Sequence, residues 1–131
     1  MTGAALLERE TTNHIIGAFF DVSNTLGFGF LEHVYSQALE RELLSRARAV
    51  QQEVVIPIWY KGTPLTMQRV DLIVDGRVLV AIKSTSVLPP TAQRQLLNYL
   101  RATSLQVGLL LHFGPQPRCH RMVHTDKARS A

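Results

Sequence analysis

The chain has 131 residues, of which 46% are hydrophobic and 18% charged, and its net charge is +4. A chain of this length folds as one domain and can bury about two thirds of its unfolded surface. It has no apolar run of roughly 18 residues and no long apolar stretch at its start, so we expect neither a membrane span nor a secretory leader. The single cysteine excludes an internal disulfide and is typical of a reducing compartment. We therefore expect a cytoplasmic protein with a single domain over residues 1–131.

Charge is distributed unevenly along the chain. Residues 1–75 hold six Lys/Arg and nine Asp/Glu, a net charge of −3, whereas residues 76–131 hold eight and one, a net charge of +7. A basic second half suits a phosphate-bearing partner such as a nucleic acid. A solubilising surface would have the same composition, so charge alone leaves both interpretations open.

Two helices are predicted at the start of the chain. From Thr11 to Leu26 apolar residues recur every three or four positions, and Gly27 is a typical stop. A tight joint over residues 27–30 leads to a second helix from about Leu31 to Ala47, which has an apolar inner face. Residues 1–10 are expected to be peripheral, extending or fraying from the first helix.

Five strands and one helix are predicted after these helices. A strand at residues 50–60 contains Pro57, which cannot donate to a ladder and indicates an edge position or a bulge. An apolar hairpin follows, with arms at residues 65–74 and 77–84 joined at Asp75-Gly76. A helix at residues 91–103, a buried strand at 105–113, a strand at 118–124 and a polar, flexible tail at 125–131 complete the chain. The order ααβββαββ predicts an α/β domain with a mixed central sheet flanked by helices.

The apolar hairpin contains two charges, Asp71 and Lys83. A buried charge costs several kcal/mol unless it is paired or bound to a metal, so the two residues form either a structural ion pair or the floor of an active site.

The length of the hairpin loop decides whether these charges share a face. Side chains alternate along a strand, which groups Arg69 with Asp71 and Ile73 on one arm, and Leu79 with Ala81 and Lys83 on the other. A two-residue turn would place the two groups on opposite faces, whereas a three-residue loop with a left-handed Gly76 in a bulge places them together. We predict the bulged loop.

The chemistry that such a face could support is phosphodiester hydrolysis. That reaction needs Mg²⁺ held by one or two carboxylates, and a cation near the attacking water or the developing charge. An Asp on one strand and a carboxylate two residues before a Lys on the next strand can supply both, but Ala81 occupies the second position. Glu32 could reach across to the face of Asp71, or could simply stabilise the start of its helix. Tyr35 is by default a core aromatic residue whose hydroxyl reaches a polar neighbour.

The sequence resembles the GxxExxY proteins, a branch of the PD-(D/E)XK nuclease superfamily. The signature is Gly29-Phe30-Leu31-Glu32-His33-Val34-Tyr35, and the likeness covers about Thr11 to Phe113. The other matching motifs, in order, are Ile15-Ile16-Gly17-Ala18, Tyr60-Lys61-Gly62, Val70-Asp71-Leu72, Ile82-Lys83, Gln95-Leu96-Leu97-Asn98-Tyr99-Leu100 and Val107-Gly108-Leu109-Leu110.

The resemblance implies a PD-(D/E)XK fold and a Mg²⁺ site, in which Mn²⁺ could substitute. Glu32 and Asp71 would be the acidic metal ligands, and the backbone carbonyl of Ile82 a third. Lys83 would be the catalytic lysine, and Gln95 would support the site near the substrate. Candidate nucleic-acid contacts are Tyr35, Arg94, Tyr99, Arg101, Arg118 and Arg121.

Three positions depart from the family pattern. Ala81 replaces the Glu of the E-x-K motif, Ser23 stands where a His often occurs in the first helix, and Ala92 stands where a His commonly precedes the glutamine. Losing a group from a catalytic unit typically costs orders of magnitude in rate, so Ala81 predicts an inactive or weakened enzyme. Natural loss and deliberate inactivation would leave the same sequence.

The predicted function is therefore Mg²⁺-dependent hydrolysis of nucleic acid, with DNA favoured over RNA. The alternative is a non-catalytic module derived from a nuclease that binds nucleic acid or a protein. A weaker third interpretation is a structural subunit. Nucleases of this size often require a partner protein or self-association, so either is compatible with the sequence.

Overall fold

A computed structural model describes residues 7–125 of the chain. The helices are α1 (Arg9–Leu26), α2 (Glu32–Ser45) and α3 (Ala92–Arg101). The strands are β1 (Val50–Tyr60), β2 (Thr63–Val74), β3 (Val78–Lys83), β4 (Val107–His112) and β5 (Arg118–Val123). This is the predicted element order. The expectations for residues 1–6 and 126–131 lie outside the described residues.

The five strands form one mixed sheet in the order β1-β2-β3-β4-β5. Neighbouring strands are antiparallel except β3 and β4, which are parallel. A parallel pair requires a crossover connection, and α3 provides it. Because β1 is an edge strand, Pro57 has the edge position that its missing N–H predicts.

Helices cover both faces of the sheet. The helices α1 and α2 pack on one face and form the α1/α2 cluster, while α3 packs on the other and forms the α3 cluster. Residues 78–80 and 107–111 are buried, which explains why β3 and β4 are almost wholly apolar. The candidate site described below lies where the helices no longer cover both faces of the sheet.

The hairpin between β2 and β3 has the predicted three-residue loop. Val74 pairs with Val78, so residues 75–77 form the loop, and Gly76 has a left-handed φ of 64°. Continuing this register opposes Asp71 to Ala81, and Lys83 shares the face of Ala81. The structure therefore confirms the bulged connection.

The first loop residue, Asp75, ties the hairpin to the start of the sheet and to α1. Its carboxylate accepts hydrogen bonds from the Ala49 N–H at 3.0 Å, the Thr11 hydroxyl at 2.8 Å and the Arg48 guanidinium at 3.3 Å. Burial alone would raise the pKa of Asp75, but these three donors together lower it.

We predict that Asp75→Asn lowers the free energy of unfolding by about 1–2 kcal/mol at pH 7, because it removes charge-assisted hydrogen bonds. A lowered folded pKa contributes stability above the unfolded value of about 3.9, and this contribution is lost as the pH falls through the folded value. Urea unfolding at pH 7 and near pH 2 should therefore show the difference between variant and parent shrinking in acid.

Asp21→Asn is the matched control, since Asp21 forms an exposed ion pair with Arg46 at 2.7 Å. It should cost no more than about 0.5–1 kcal/mol. Equal effects of the two substitutions, or a penalty at Asp75 that does not change with pH, would contradict this account of the loop.

Candidate active site

Asp71 lies where β2 and β3 separate. Ladder pairing between these strands is confined to residues 72–74 and 78–80, and β2 continues beyond it as a two-stranded ribbon with β1. At the point of separation, Asp71 Oδ2 accepts a hydrogen bond from the Ile82 N–H at 2.6 Å. The carboxylate thus replaces the ladder bond that the diverging strands no longer make.

A cavity of about 200 Å³ lies between the diverging strands and α3. Its lining brings together six predicted site residues: Glu32, Asp71, Ala81, Lys83, Gln95 and Tyr99. They come from α2, β2, β3 and α3, so only the folded chain assembles them. Arg69, which is exposed, also lines this cavity.

The acidic groups at the cavity are held in an environment that disfavours their charge. Burial raises the pKa of Asp71, against the lowering effects of the Ile82 N–H and the charge of Lys83, and the charge of Glu53 raises it further. Partial burial also raises the pKa of Glu32, opposed by Lys83 and reinforced by Asp71. Among the described residues, Lys83 makes no salt bridge within 4.0 Å. The charges therefore converge without closing into a structural ion pair.

Gln95 and Tyr99 line the cavity from one face of α3. Burial, together with the charge of Asp71, raises the pKa of the Tyr99 hydroxyl against the lowering effect of the neighbouring Gln95 side chain. The Tyr99 hydroxyl also lies 3.5 Å from Gln68 Oε1 of the ribbon. These two polar side chains offer hydrogen-bonding groups to a molecule that enters the cavity.

Tyr35 has a structural position, and its predicted contact with nucleic acid is wrong. The side chain is fully buried, and its ring stacks on Phe113 with centroids 4.3 Å apart. Its hydroxyl donates to the Gly27 carbonyl and accepts from the Phe30 N–H at 3.3 Å. The tyrosine thereby fixes the joint from which α2 starts.

This joint positions Glu32, the first residue of α2. Gly27 and Gly29 have φ values of 73° and 115°, which side-chain-bearing residues rarely adopt. The Ser84 hydroxyl donates to the Phe30 carbonyl and holds the joint against the end of β3. Glu32 is thus placed beside the cavity, and it also lies at the positive end of the α2 dipole.

The arginines predicted to contact nucleic acid lie in different places. Arg94 and Arg101 are exposed on α3. In the strand register, Arg118 lies opposite His112, and His112 lies opposite Lys83, so the three residues are at one level of the sheet. Arg121 belongs to the opposite face of β5, where its guanidinium donates to the Leu7 carbonyl at 2.8 Å.

Sequence reasoning missed Glu53. Gln52 pairs with Leu72 and Val54 with Val70, so Glu53 and Asp71 are the opposed residues between these pairs. Glu53 lines a second cavity, of about 290 Å³, together with Glu32 and Asp71. Only the pairing register of β1 and β2 reveals this position, because an acidic residue in an edge strand carries no signal of its own.

The donors at the site are suited to a hard divalent cation. Mg²⁺ and Mn²⁺ prefer oxygen ligands, and Mg²⁺ is commonly held by one or two carboxylates with water and substrate phosphate oxygens. Asp71 and Glu32 provide carboxylates that repel each other. In residues 7–125 no three His, Cys, Asp or Glu side chains already surround one point, so further ligands would have to move in or come from water and substrate. The described contact of Ile82 is through its N–H, and the assignment of its carbonyl to a metal stays a prediction.

A mixed sheet with an acid on one strand, a lysine on the next and a glutamine on the crossover helix defines the core of a restriction-endonuclease-like fold. The chain belongs to the PD-(D/E)XK nuclease superfamily, which it matches over residues 9–123. No curated protein has a sequence that matches this chain. Within residues 7–125, no helix has the length and apolar character needed to cross a membrane.

Two solved structures share the fold. The crystal structure of SSO0001 aligns with a TM-score of 0.57 at 20% identity, covering 76% of this chain and 54% of that one. The alkaline exonuclease LHK-Exo from Laribacter hongkongensis aligns with a TM-score of 0.52 at 14% identity, covering 98% of this chain and 74% of that one. The chain thus spans about half the length of SSO0001, and at these identities the likeness is one of fold.

We predict that Tyr35→Phe destabilises the protein by about 1–2 kcal/mol, because the ring stack is kept while the Gly27 carbonyl and the Phe30 N–H lose their partner. Thermal unfolding measures this cost, and hydrogen exchange at residues 28–31 should accelerate more than exchange in β4. Tyr60→Phe is the control, since Tyr60 is 59% exposed. Unchanged protection at the joint would show that the hydroxyl does not hold it.

Proposed function

We propose that this protein is a Mg²⁺-dependent nuclease that hydrolyses phosphodiester bonds of DNA. The observation that carries the proposal is the convergence of Asp71, Glu32 and Lys83 on one cavity, in which no salt bridge with a described residue neutralises the lysine. The chain's membership of a nuclease superfamily supports the same conclusion.

The roles follow from the chemistry of each group. A divalent ion at the site would neutralise the scissile phosphate and lower the pKa of a water molecule. Asp71 is held in place by the Ile82 N–H and, with Glu32, would supply its protein ligands. Lys83 would orient the attacking water or stabilise the developing charge. Gln95 and Tyr99 would position the strand against α3.

The signature at the start of α2 supports placing the chain among the GxxExxY proteins. Gly29 has the positive φ that the joint requires, Glu32 lines the cavity, and Tyr35 bonds the joint internally. Each residue of the motif therefore serves the placement of one acid. With its half-buried single cysteine, the protein is proposed to act in the cytoplasm.

Ala81 lowers the activity in this proposal. Its methyl group lines the cavity at the position where the family has a carboxylate, so one ligand is missing on the β3 side. The same observation favours a second candidate function, a module that binds nucleic acid without cutting it.

We predict that Ala81→Glu raises Mg²⁺-dependent cleavage of labelled single- or double-stranded DNA by about 100-fold or more, since groups of one catalytic unit act together. Ala81→Gln is the matched control, which has the same size without the charge and should give no gain. Lys83→Met in the Ala81→Glu background should return cleavage to the starting level. If the restored protein binds DNA without cleaving it in Mg²⁺ or Mn²⁺, the binding module is the better description.

We predict that Arg118→Gln weakens DNA binding several-fold and lowers the slope of log affinity against log salt by about 1, because one phosphate contact is lost. Arg121→Gln is the control on the same strand, and it should change neither quantity, since Arg121 lies on the face away from Lys83. Fluorescence anisotropy at several salt concentrations measures both. If Arg121→Gln weakened DNA binding more than Arg118→Gln, the DNA would lie on the α1 face of the sheet, which would contradict the proposed path.

A further inference from the structure

The backbone of β1 is distorted at Glu53, although the register of the β1–β2 ladder does not shift there. Pairing is in register at Gln52–Leu72 and again at Val54–Val70, and Glu53 between them has a left-handed φ of 49°. A residue with a side chain rarely adopts this conformation inside a strand. The irregularity faces Asp71, which already lacks a ladder partner on β3.

The ribbon also changes faces at this level. Leu72 packs in the α1/α2 cluster, whereas Val70, two residues earlier, packs in the α3 cluster. On β1, Val50 packs against the first cluster and Val54 against the second. Strict alternation would have kept each pair on one face, so the alternation is broken here. Arg69 and Asp71 nevertheless line the cavity beside α3, and Ile73 packs in the α3 cluster, as expected. Asp71 is consequently accessible to the cavities on both sides.

The second cavity has an acidic lining and an unsatisfied donor. Glu32, Glu53 and Asp71 line it together with Gln52 and Ile82. The Gln52 side-chain nitrogen is buried and has no hydrogen-bond partner among residues 7–125. Since buried donors are normally satisfied, this nitrogen indicates that a ligand or water oxygen belongs in the cavity. A hydrated cation or a phosphate that accompanies it would supply such an oxygen.

Asp71 is flanked by Glu53 on β1 and by Ala81 on β3. The β3 side has no carboxylate, while Glu53 is exposed and forms no hydrogen bond or ion pair with another described residue. Its side chain is therefore free to turn toward an ion at Asp71. We propose that Glu53 supplies the metal-binding carboxylate that position 81 lacks. The ion would then be held by Glu53, Asp71 and Glu32, with the replacement ligand on β1 rather than on β3. This inference rests on the proposed metal-dependent function.

The test is Mn²⁺ binding to the full chain, measured by titration calorimetry. Glu53→Gln should weaken Mn²⁺ affinity about tenfold or more, because a charged oxygen ligand is replaced by a neutral one. Glu42→Gln is the matched control on α2, paired with Arg46 at 3.5 Å and away from both acidic cavities, and it should leave affinity unchanged. Melting in the presence of a chelator checks folding, and Glu53→Gln should be no less stable there, since it removes repulsion with Asp71.

A double-mutant cycle tests whether Glu53 takes the place of the carboxylate missing at position 81 or merely lies near the ion. In the Ala81→Glu background the β3 carboxylate is present again, so Glu53→Gln should have little effect on Mn²⁺ affinity. An equal loss in both backgrounds would overturn the replacement of position 81.

If Glu53→Gln binds Mn²⁺ like the parent while Asp71→Asn abolishes binding, the role of Glu53 is refuted and the metal-dependent function stands. If neither the parent nor Ala81→Glu binds Mn²⁺, the proposed function itself fails.

Discussion

The candidate site is organised around one hydrogen bond, from the Ile82 N–H to the Asp71 carboxylate, at the point where β2 leaves β3. Up to that point the two strands are paired and covered by helices on both faces. Beyond it β2 follows β1, and the gap becomes the cavity. The carboxylate therefore accepts a hydrogen bond from a β3 amide that no longer pairs with the β2 backbone, and it lies at the entrance of the cavity. Its position is set by the backbone of β3 rather than by flexible side chains.

The apolar sheet around this point disfavours the charged form of the acidic groups. Burial in the paired region raises the pKa of Asp71, and the nearby Glu32 and Glu53 carboxylates repel it. Lys83 attracts these acids without reaching salt-bridge distance. An arrangement of this kind costs folding free energy, because the desolvated charges lack full compensation. A divalent cation together with a phosphate would provide that compensation, which is why the arrangement fits a binding site better than a structural pair.

Patterns local to the chain were sufficient to predict most of the fold. Apolar periodicity predicts the helices, and the requirement that Asp71 and Lys83 share a face predicts the bulged loop at Gly76. Contacts between distant segments cannot be predicted from such local patterns. Glu53 is found only through the β1–β2 register and the change of faces beside it. Tyr35 is the core aromatic residue that its sequence context predicts, with its ring on Phe113 and its hydroxyl bonded to the joint, and this burial leaves no room for the predicted contact with nucleic acid.

The central claim, that Asp71 with its neighbours forms a divalent-cation site, is tested most directly by ligand-linked stability. An ion that binds only the folded state stabilises it in proportion to the logarithm of its concentration. The melting temperature of the parent protein should rise progressively with added Mn²⁺, and Asp71→Asn should remove that rise while the protein still unfolds cooperatively in chelator. An identical Mn²⁺ response in the parent and in Asp71→Asn, or no response in the parent, would contradict the account.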